Sequence, residues 1–213
     1  MTTLILIRHA QSEANEHDII AGHSHYPLTA LGRKQADITG KYVAENFKID
    51  KIYSSDLLRA YETACGVSRY LDMMPIHTDI GLREINVGKW EGATFTQMAE
   101  DFPGEYDVWV NDHENCRCPE GESIKELFVR TNETLKRIAR ENEGKTVAVV
   151  YHSTHIRSLI TYVRDGNLAN LSTTKWPSNC SVSILKCDGE SFSFELCDYA
   201  EHLSEAKSKE LVL

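Results

Sequence analysis

The sequence predicts a single α/β domain, spanning residues 1–213, in which helices flank a mostly parallel central sheet. Strand-like and helix-like segments alternate along its 213 residues, which is the pattern of βαβ units. Two segments, Thr3–Arg8 and Thr146–His152, are apolar and β-favouring, as expected for strands covered on both faces. Residues 122–143 carry apolar side chains at helical spacing and end before a glycine, which predicts a long amphipathic helix.

The remaining elements follow from local capping and turn signals. Thr29 is a suitable N-cap for a helix over residues 29–45. Residues 51–54 predict a short strand, and Ser55 after it is expected to cap a helix over residues 56–71.

The last third of the chain predicts one helix and one hairpin. The helix, residues 154–163, directly follows the second apolar strand. Residues 181–186 and 191–196 alternate in polarity around the turn dipeptide Asp188-Gly189, which predicts an antiparallel hairpin. Together these elements give a three-layer sandwich.

The stretch from about residue 86 to 122 is the least regular, and we expect it to form a partly helical lid inserted over one edge of the sheet. It is rich in aromatic residues, so it is not expected to be disordered. It also holds nine acidic residues against Lys89 and Arg117, a net charge of −7 out of −9 for the chain. If the lid covers a site, these acids would form a negative rim that repels ligands carrying a second anionic group.

Composition excludes several classes of protein. A net charge of −9 argues against nucleic acid as a partner, and no apolar run approaches the ~20 residues of a membrane-spanning helix. Six cysteines without an export signal predict reduced thiols in the cytoplasm rather than a disulfide scaffold. The sequence leaves open whether the protein is a monomer or a homodimer.

Two groups of residues resemble incomplete metal sites. Cys116 and Cys118 lie near His113, but no second cysteine pair follows at ligand spacing. His152 and His155 have helical spacing but no acidic ligand nearby in sequence. We therefore expect neither a metal nor another cofactor.

Charged residues at predicted strand ends indicate a phosphate site. Arg8 and His9 end the first strand, Arg59 follows the second, and His152 ends the next apolar strand at a helix N-terminus. In open α/β sheets ligands bind beyond the carboxyl ends of the strands. Each residue alone could be a structural histidine or a solvated arginine, but together they suit a tetrahedral dianion, which arginine forks bind bidentately. A histidine there can accept a phosphoryl group, and a carboxylic acid such as Glu84 can protonate the leaving alcohol, although no predicted strand places Glu84.

Five sequence blocks occur in order between residue 4 and about residue 160. They are LIRHAQSEAN at 6–15, Gly22 with PLTALGRKQA at 27–36, YSSDLLRAYETA at 53–64, LREINVGKWEG at 82–92, and VVYH at 149–152 followed by Ile156 and Arg157. These blocks resemble those of the histidine phosphatase superfamily, which has the phosphoglycerate mutase-like fold. Five blocks in sequence are far more specific than the Arg-His pair alone.

The resemblance implies a role for each residue. His9 is the nucleophile that becomes phosphohistidine, and Glu84 is the proton donor and then the base for water. The residues that would hold the phosphoryl group are Arg8, Arg59 and His152, with Asn15 assisting.

The chain departs from the family pattern near two of these residues. Ala10, Gln11 and Ser12 replace the usual glycine, glutamate and threonine after the nucleophile, and none of these changes removes a charge that the chemistry needs. Ser153 stands where glycine is common, so it could narrow the pocket or add a hydroxyl donor to the phosphate site.

The expected function is hydrolysis of a small phosphorylated metabolite. A phosphoglycerate mutase is the second hypothesis; mutases of the family carry a longer, cation-rich insertion after the glutamate block, whereas the stretch here is short and acidic. A non-catalytic phosphate-binding module is the third, and the presence of every reactive position disfavours it.

Overall fold

The computed structural model describes residues 1–208, which form a six-stranded sheet with helices on both faces. The strands, in chain order, are β1 (Thr2–Arg8), β2 (Lys51–Ser54), β3 (Ile76–Thr78), β4 (Thr146–Tyr151), β5 (Val182–Cys187) and β6 (Phe192–Tyr199). Their order across the sheet is β3-β2-β4-β1-β5-β6. The first four are parallel, and β5 and β6 form the antiparallel hairpin that the sequence predicts. The predicted α/β class is confirmed; the short edge strand β3 was not predicted.

The predicted helices are present, with their ends shifted by a few residues. The helices are α1 (Glu13–Glu16), α2 (Ala30–Asn46), α3 (Leu58–Arg69), α4 (Phe95–Asp101), α5 (Pro103–Asn111), α6 (Ile124–Glu141) and α7 (Ser153–Asp165). Thr29 caps α2 by accepting the Gly32 N–H at 2.9 Å. The predicted Ser55 cap is wrong, because α3 begins three residues later and has no side-chain cap. The Ser55 hydroxyl contacts a buried histidine instead, as described below.

Alternating residues of the central strands bury opposite faces of the sheet, which gives three layers. Leu4 and Leu6 of β1 pack with α6 and α7, whereas Ile5 and Ile7 pack with α2 and α3. All four side chains are fully buried. β1 and β4 are the central strands of the sheet, and helices cover them on both faces.

The stretch 86–122 has its own hydrophobic cluster beside the sheet. Helices α4 and α5 and two short 3₁₀ turns surround Trp90 and Trp109, whose rings meet edge to face with centroids 5.7 Å apart. Ile124 and Leu127 of α6 complete the cluster. Closure of this stretch over a bound ligand remains a prediction.

No helix within residues 1–208 combines the length and the apolar character needed to cross a bilayer. All six cysteines of the chain are free thiols, and four of them are buried: Cys116, Cys118, Cys180 and Cys187.

Candidate active site

The parallel pairing of β1 with β4 brings two histidines together at the carboxyl edge of the sheet. Arg8 is in register with Tyr151, so His9 and His152 are the next residues on neighbouring strands. Their ring centroids lie 5.2 Å apart, and both side chains are buried. The prediction that these two strand ends meet is therefore confirmed.

The hydrogen bonding of His9 defines which ring nitrogen is available. Nδ1 lies 2.7 Å from the Ala10 carbonyl oxygen, which can only accept, so Nδ1 carries the proton. The pKa of His9 is held well below its usual value, first by burial and then by the charges of Arg59 and Arg8. The imidazole is therefore neutral, and its Nε2 carries a free electron pair.

Arg8 is a buried cation whose guanidinium includes a donor without a partner. Its Nη1 donates to the Pro177 carbonyl, while its Nε has no hydrogen-bond partner among residues 1–208. Burial lowers the pKa of Arg8 to about 10, so it remains charged at neutral pH. A buried donor without a partner is uncommon, and it is available to an anion.

Arg59, in the first turn of α3, is held by a tight turn that precedes α2. Its Nη2 donates to the Gly22 carbonyl at 2.9 Å and its Nη1 to the Ser24 carbonyl at 3.0 Å. Gly22 has φ +46°, and a Cβ there would lie 2.4 Å from Cγ2 of Val87. Glycine is therefore required for this carbonyl to reach Arg59.

His152 is oriented by the serine that was expected to cap α3. The Ser55 Oγ lies 2.9 Å from Nε2 of His152 and accepts the Leu57 N–H at 3.3 Å. Nδ1 of His152 is buried and has no partner in the described part of the chain. In the neutral tautomer whose Nε2 accepts from the Ser55 hydroxyl, the ring carries its N–H at Nδ1.

Asn179 holds the backbone of His9 and is linked in turn to Asn15. The Asn15 Oδ1 accepts from the Ser12 amide at 3.1 Å and from Nδ2 of Asn179 at 3.3 Å, and Asn179 also donates to the His9 carbonyl at 3.0 Å. Asp198 holds this loop by accepting the Ser178 N–H at 2.7 Å. Asn179 was not predicted, because it lies outside the five blocks and reaches the site only through pairing of β5 with β1.

Glu84 lies in a loop, and its carboxylate is fixed by two backbone amides. Oε1 accepts the Ile85 N–H at 2.8 Å, and Oε2 accepts the Thr154 N–H at the start of α7 at 3.3 Å. Ser153, the first residue of α7, lies beside it and is 8% exposed. The helix N-terminus thus adds partial positive charge at this wall.

The structure brings the predicted residues to one cavity of about 100 Å³. Six of the seven line it, and His152 packs against the His9 ring next to it; the lining residues are Arg8, His9, Asn15, Arg59, Glu84 and Ser153. A larger cavity, of about 530 Å³, shares Arg8, Trp109 and Trp176 with the first.

The acids of the stretch 86–122 form no rim around the cavities of this structure. None of the nine acids of the stretch 86–122 lines either cavity described here. Glu91 accepts hydrogen bonds from Ser24, and Glu122 pairs with Arg130, so these carboxylates hold loops in place. The acidic side chains that do line the larger cavity are Asp198 and Glu201, from the C-terminal part of the chain.

Neither candidate metal grouping is assembled within residues 1–208, where no three potential ligands meet. His113 bonds through Nδ1 to the Trp109 carbonyl at 2.7 Å, and burial lowers its pKa to about 3. The pKa of the Cys118 thiol is raised by its contact with Cys116 and by burial, which keeps it protonated.

Residues 4–199 match the family model of the histidine phosphatase superfamily (branch 1), and the chain belongs to that family. It is 28% identical to phosphoglycerate mutase-like protein 4 of Arabidopsis thaliana, over 95% of this chain and 87% of that protein. The structure of Bacillus stearothermophilus YhfR superposes with a TM-score of 0.88 at 31% identity, covering 95% of this chain and all of that one. A variant of phosphoserine phosphatase from Entamoeba histolytica, in complex with phosphoserine, has a TM-score of 0.82 at 27% identity, covering 95% and 100%. Family, fold and phosphatase-named relatives together define a phosphatase of the histidine phosphatase type.

Proposed function

We propose that the protein hydrolyses a phosphomonoester of a small metabolite through a phosphoryl group carried on His9. The observation that carries this proposal is the neutral imidazole of His9, whose Nε2 is free beside Arg8 and Arg59. An uncharged nitrogen nucleophile between two buried cations suits attack on a dianionic phosphorus centre.

The phosphoryl oxygens would be held by two buried nitrogens that have no partner in the described chain and by further polar residues of the cavity. Nε of Arg8 and Nδ1 of His152 are buried and unpartnered in the described chain, and Arg59 and the amide of Asn15 face the same cavity. Ser153 contributes the first turn of α7, whose N–H groups favour an anion. These donors would stabilise the charge that spreads over the transferring group.

Glu84 would supply and then remove one proton. As the bond from phosphorus to the ester oxygen breaks and the bond to Nε2 of His9 forms, protonated Glu84 gives its proton to the leaving oxygen. In the second step the Glu84 carboxylate takes a proton from water, the water oxygen bonds to phosphorus, and the bond to His9 breaks. Inorganic phosphate leaves, and both residues return to their starting states.

The alcohol half of the substrate would extend into the larger cavity next to Arg8. That cavity is lined by acidic side chains, Asp198 and Glu201, and by basic side chains, Arg157, Lys175 and Lys207. Side chains of both signs suit a small polar alcohol that carries an ammonium and a carboxylate. Phosphoserine, which the Entamoeba histolytica relative binds, is therefore the first ester to test.

A panel of phosphomonoesters, assayed with and without a glycerate acceptor, tests this function. We expect release of inorganic phosphate, no isomerisation of phosphoglycerate, and loss of turnover in His9→Ala. Isomerisation faster than phosphate release would establish the mutase hypothesis instead. Phosphate binding without turnover of any ester would indicate a binding module.

A further inference from the structure

Glu84 lies in a stretch without regular secondary structure, so its position depends on contacts from elsewhere in the fold. The stretch follows a 3₁₀ turn, Ile80–Leu82, and no helix or strand includes residues 83–87. Loops are ordinarily the more mobile parts of a fold. A proton donor placed there needs bracing, because a displacement of about 1 Å can cost about 10²-fold in rate.

Arg130 of α6 provides that bracing with every N–H that it has. Its Nη1 donates to the carbonyls of Gly81 and Arg83, both at 3.0 Å, and its Nη2 donates to the carbonyl of Glu84 at 3.2 Å. Nε and Nη2 each donate to the Glu122 carboxylate at 2.8 Å. An arginine side chain has five N–H donors in a planar fork, and here all five are used.

Glu122 holds the backbone that follows Glu84 in the chain, at Asn86. Its Oε2 accepts the Asn86 N–H at 2.8 Å, and its own backbone N–H donates to the Asn86 carbonyl at 2.8 Å. Arg130 and Glu122 therefore hold the backbone before, at and after Glu84, and the Glu84 carbonyl also lies 2.9 Å from Nε2 of His23. The carboxylate of Glu84 then reaches the Thr154 amide without any contact to Arg130 itself.

We infer that the Arg130–Glu122 pair positions Glu84 for proton transfer, an inference that rests on the proposed role of Glu84 as proton donor. Arg130 and Glu122 touch no reacting atom; they act through the backbone of Glu84. A lysine could supply charge at this position but not a planar fork that reaches three carbonyls and a carboxylate together.

The experiment compares an alkyl phosphate with a nitrophenyl phosphate, because only the alkoxide needs a proton to leave. In Arg130→Gln the ratio of kcat/KM for the alkyl ester to that for the nitrophenyl ester should fall about 10-fold. Arg130→Lys and Glu122→Gln should shift the ratio in the same direction by less. Inhibition by inorganic phosphate should stay within about twofold, because Arg8, Arg59 and His152 are unchanged.

Arg137 gives a matched control on the same helix. It pairs with Asp79, which precedes the Ile80–Leu82 turn, and with Glu141 at the end of α6, but it donates to none of the three carbonyls. Arg137→Gln should leave the ratio unchanged even where it lowers the melting temperature. If Arg130→Gln, Arg130→Lys and Glu122→Gln slow both esters equally, the pair is only structural and the inference is wrong.

Glu84→Gln separates this inference from the proposed function. If Glu84→Gln shifts the ratio and the Arg130 and Glu122 variants do not, only the positioning role fails. If Glu84→Gln itself leaves the ratio unchanged, the role of Glu84 as proton donor fails, and the positioning role fails with it.

Discussion

The Glu84 carboxylate accepts a hydrogen bond of 3.3 Å from the backbone N–H of Thr154, at the first turn of α7. This contact joins the loop that carries the proposed acid to the helix that follows β4 and His152. The proposed acid is thereby held by the same segment that carries His152 and Ser153. Catalysis by proton transfer depends on such a fixed separation between donor and leaving group.

Replacing Glu84 with glutamine tests its role as proton donor. The amide keeps the shape of the side chain and can still accept one of the two N–H groups, but it has no proton to transfer. We expect kcat/KM for an alkyl phosphate to fall by about 10²- to 10⁴-fold, and that for a nitrophenyl phosphate to fall far less. Steady-state kinetics on the two esters measure this, and equal losses would contradict the role.

Asn179 is predicted to matter through hydrogen bonds that it donates to the His9 carbonyl and to Asn15. Asn179→Ala removes both bonds and should lower kcat/KM about 10-fold, whereas Asn179→Asp should lower it further, because a carboxylate cannot donate to either oxygen. The control is Asn167→Ala. Asn167 is exposed, and its side chain donates to the Asp165 carbonyl. An Asn179→Asp enzyme as active as the parent would refute this prediction.

Buried neutral histidines predict that stability falls as the pH falls. Burial lowers the pKa values of His113 and His155 to about 3, below the ordinary 6.5. Between pH 6.5 and 3 the unfolded chain therefore binds protons that the folded chain does not. The free energy of unfolding should decrease on acidification over this window, by up to about 1.4 kcal/mol per pH unit for each such histidine.

Urea unfolding between pH 7 and 4.5, without phosphate, measures this dependence. In His155→Gln the number of protons taken up on unfolding should fall by about one, because one of the titrating groups is removed. The free energy of unfolding should therefore depend less steeply on pH. His17→Gln, in which the side chain is 66% exposed, is the control and should keep the parent slope. A His155→Gln slope equal to that of the parent would show that this histidine does not titrate as the burial argument requires.

Activity should survive exhaustive chelation. The negative charge of the transferring group is met by Arg8, Arg59 and His152 together with the first turn of α7, so the mechanism requires no divalent ion. Assays after treatment with EDTA, with and without added zinc or magnesium, measure this. Complete loss that zinc or magnesium restores would contradict the mechanism and reopen the grouping of His152 with His155.

The sequence predicted those parts of the site that follow directly from regular elements. Arg8, His9 and His152 lie at the ends of continuous apolar strands, so the sheet alone brings them together. Arg59 was predictable for a similar reason, because it lies in the first turn of α3, the helix that follows β2. The carboxyl edge of a parallel sheet makes such residues predictable from the positions of the strands.

Features that depend on distant contacts were not predictable in this way. Glu84 is held by contacts from Arg130, His23 and Thr154, and these contacts leave no periodic signal in the sequence. The same is true of Asn179, which is placed by the pairing of β5 with β1.

The acids of the stretch 86–122 do not line the cavities, and a charge count does not reveal which carboxylates are used in contacts such as those of Glu91 and Glu122. Ser55 was misread for the same reason, since its hydroxyl serves His152.

The most direct test of the account is the site of the phosphoryl group during turnover. A labelled phosphomonoester is mixed with the enzyme, quenched in base within milliseconds, and the modified residue is mapped by mass spectrometry. We predict an acid-labile, base-stable phosphoryl group on His9, and none in His9→Ala. Label on Ser12, Ser54 or Cys65, or full activity of His9→Ala, would contradict the central claim.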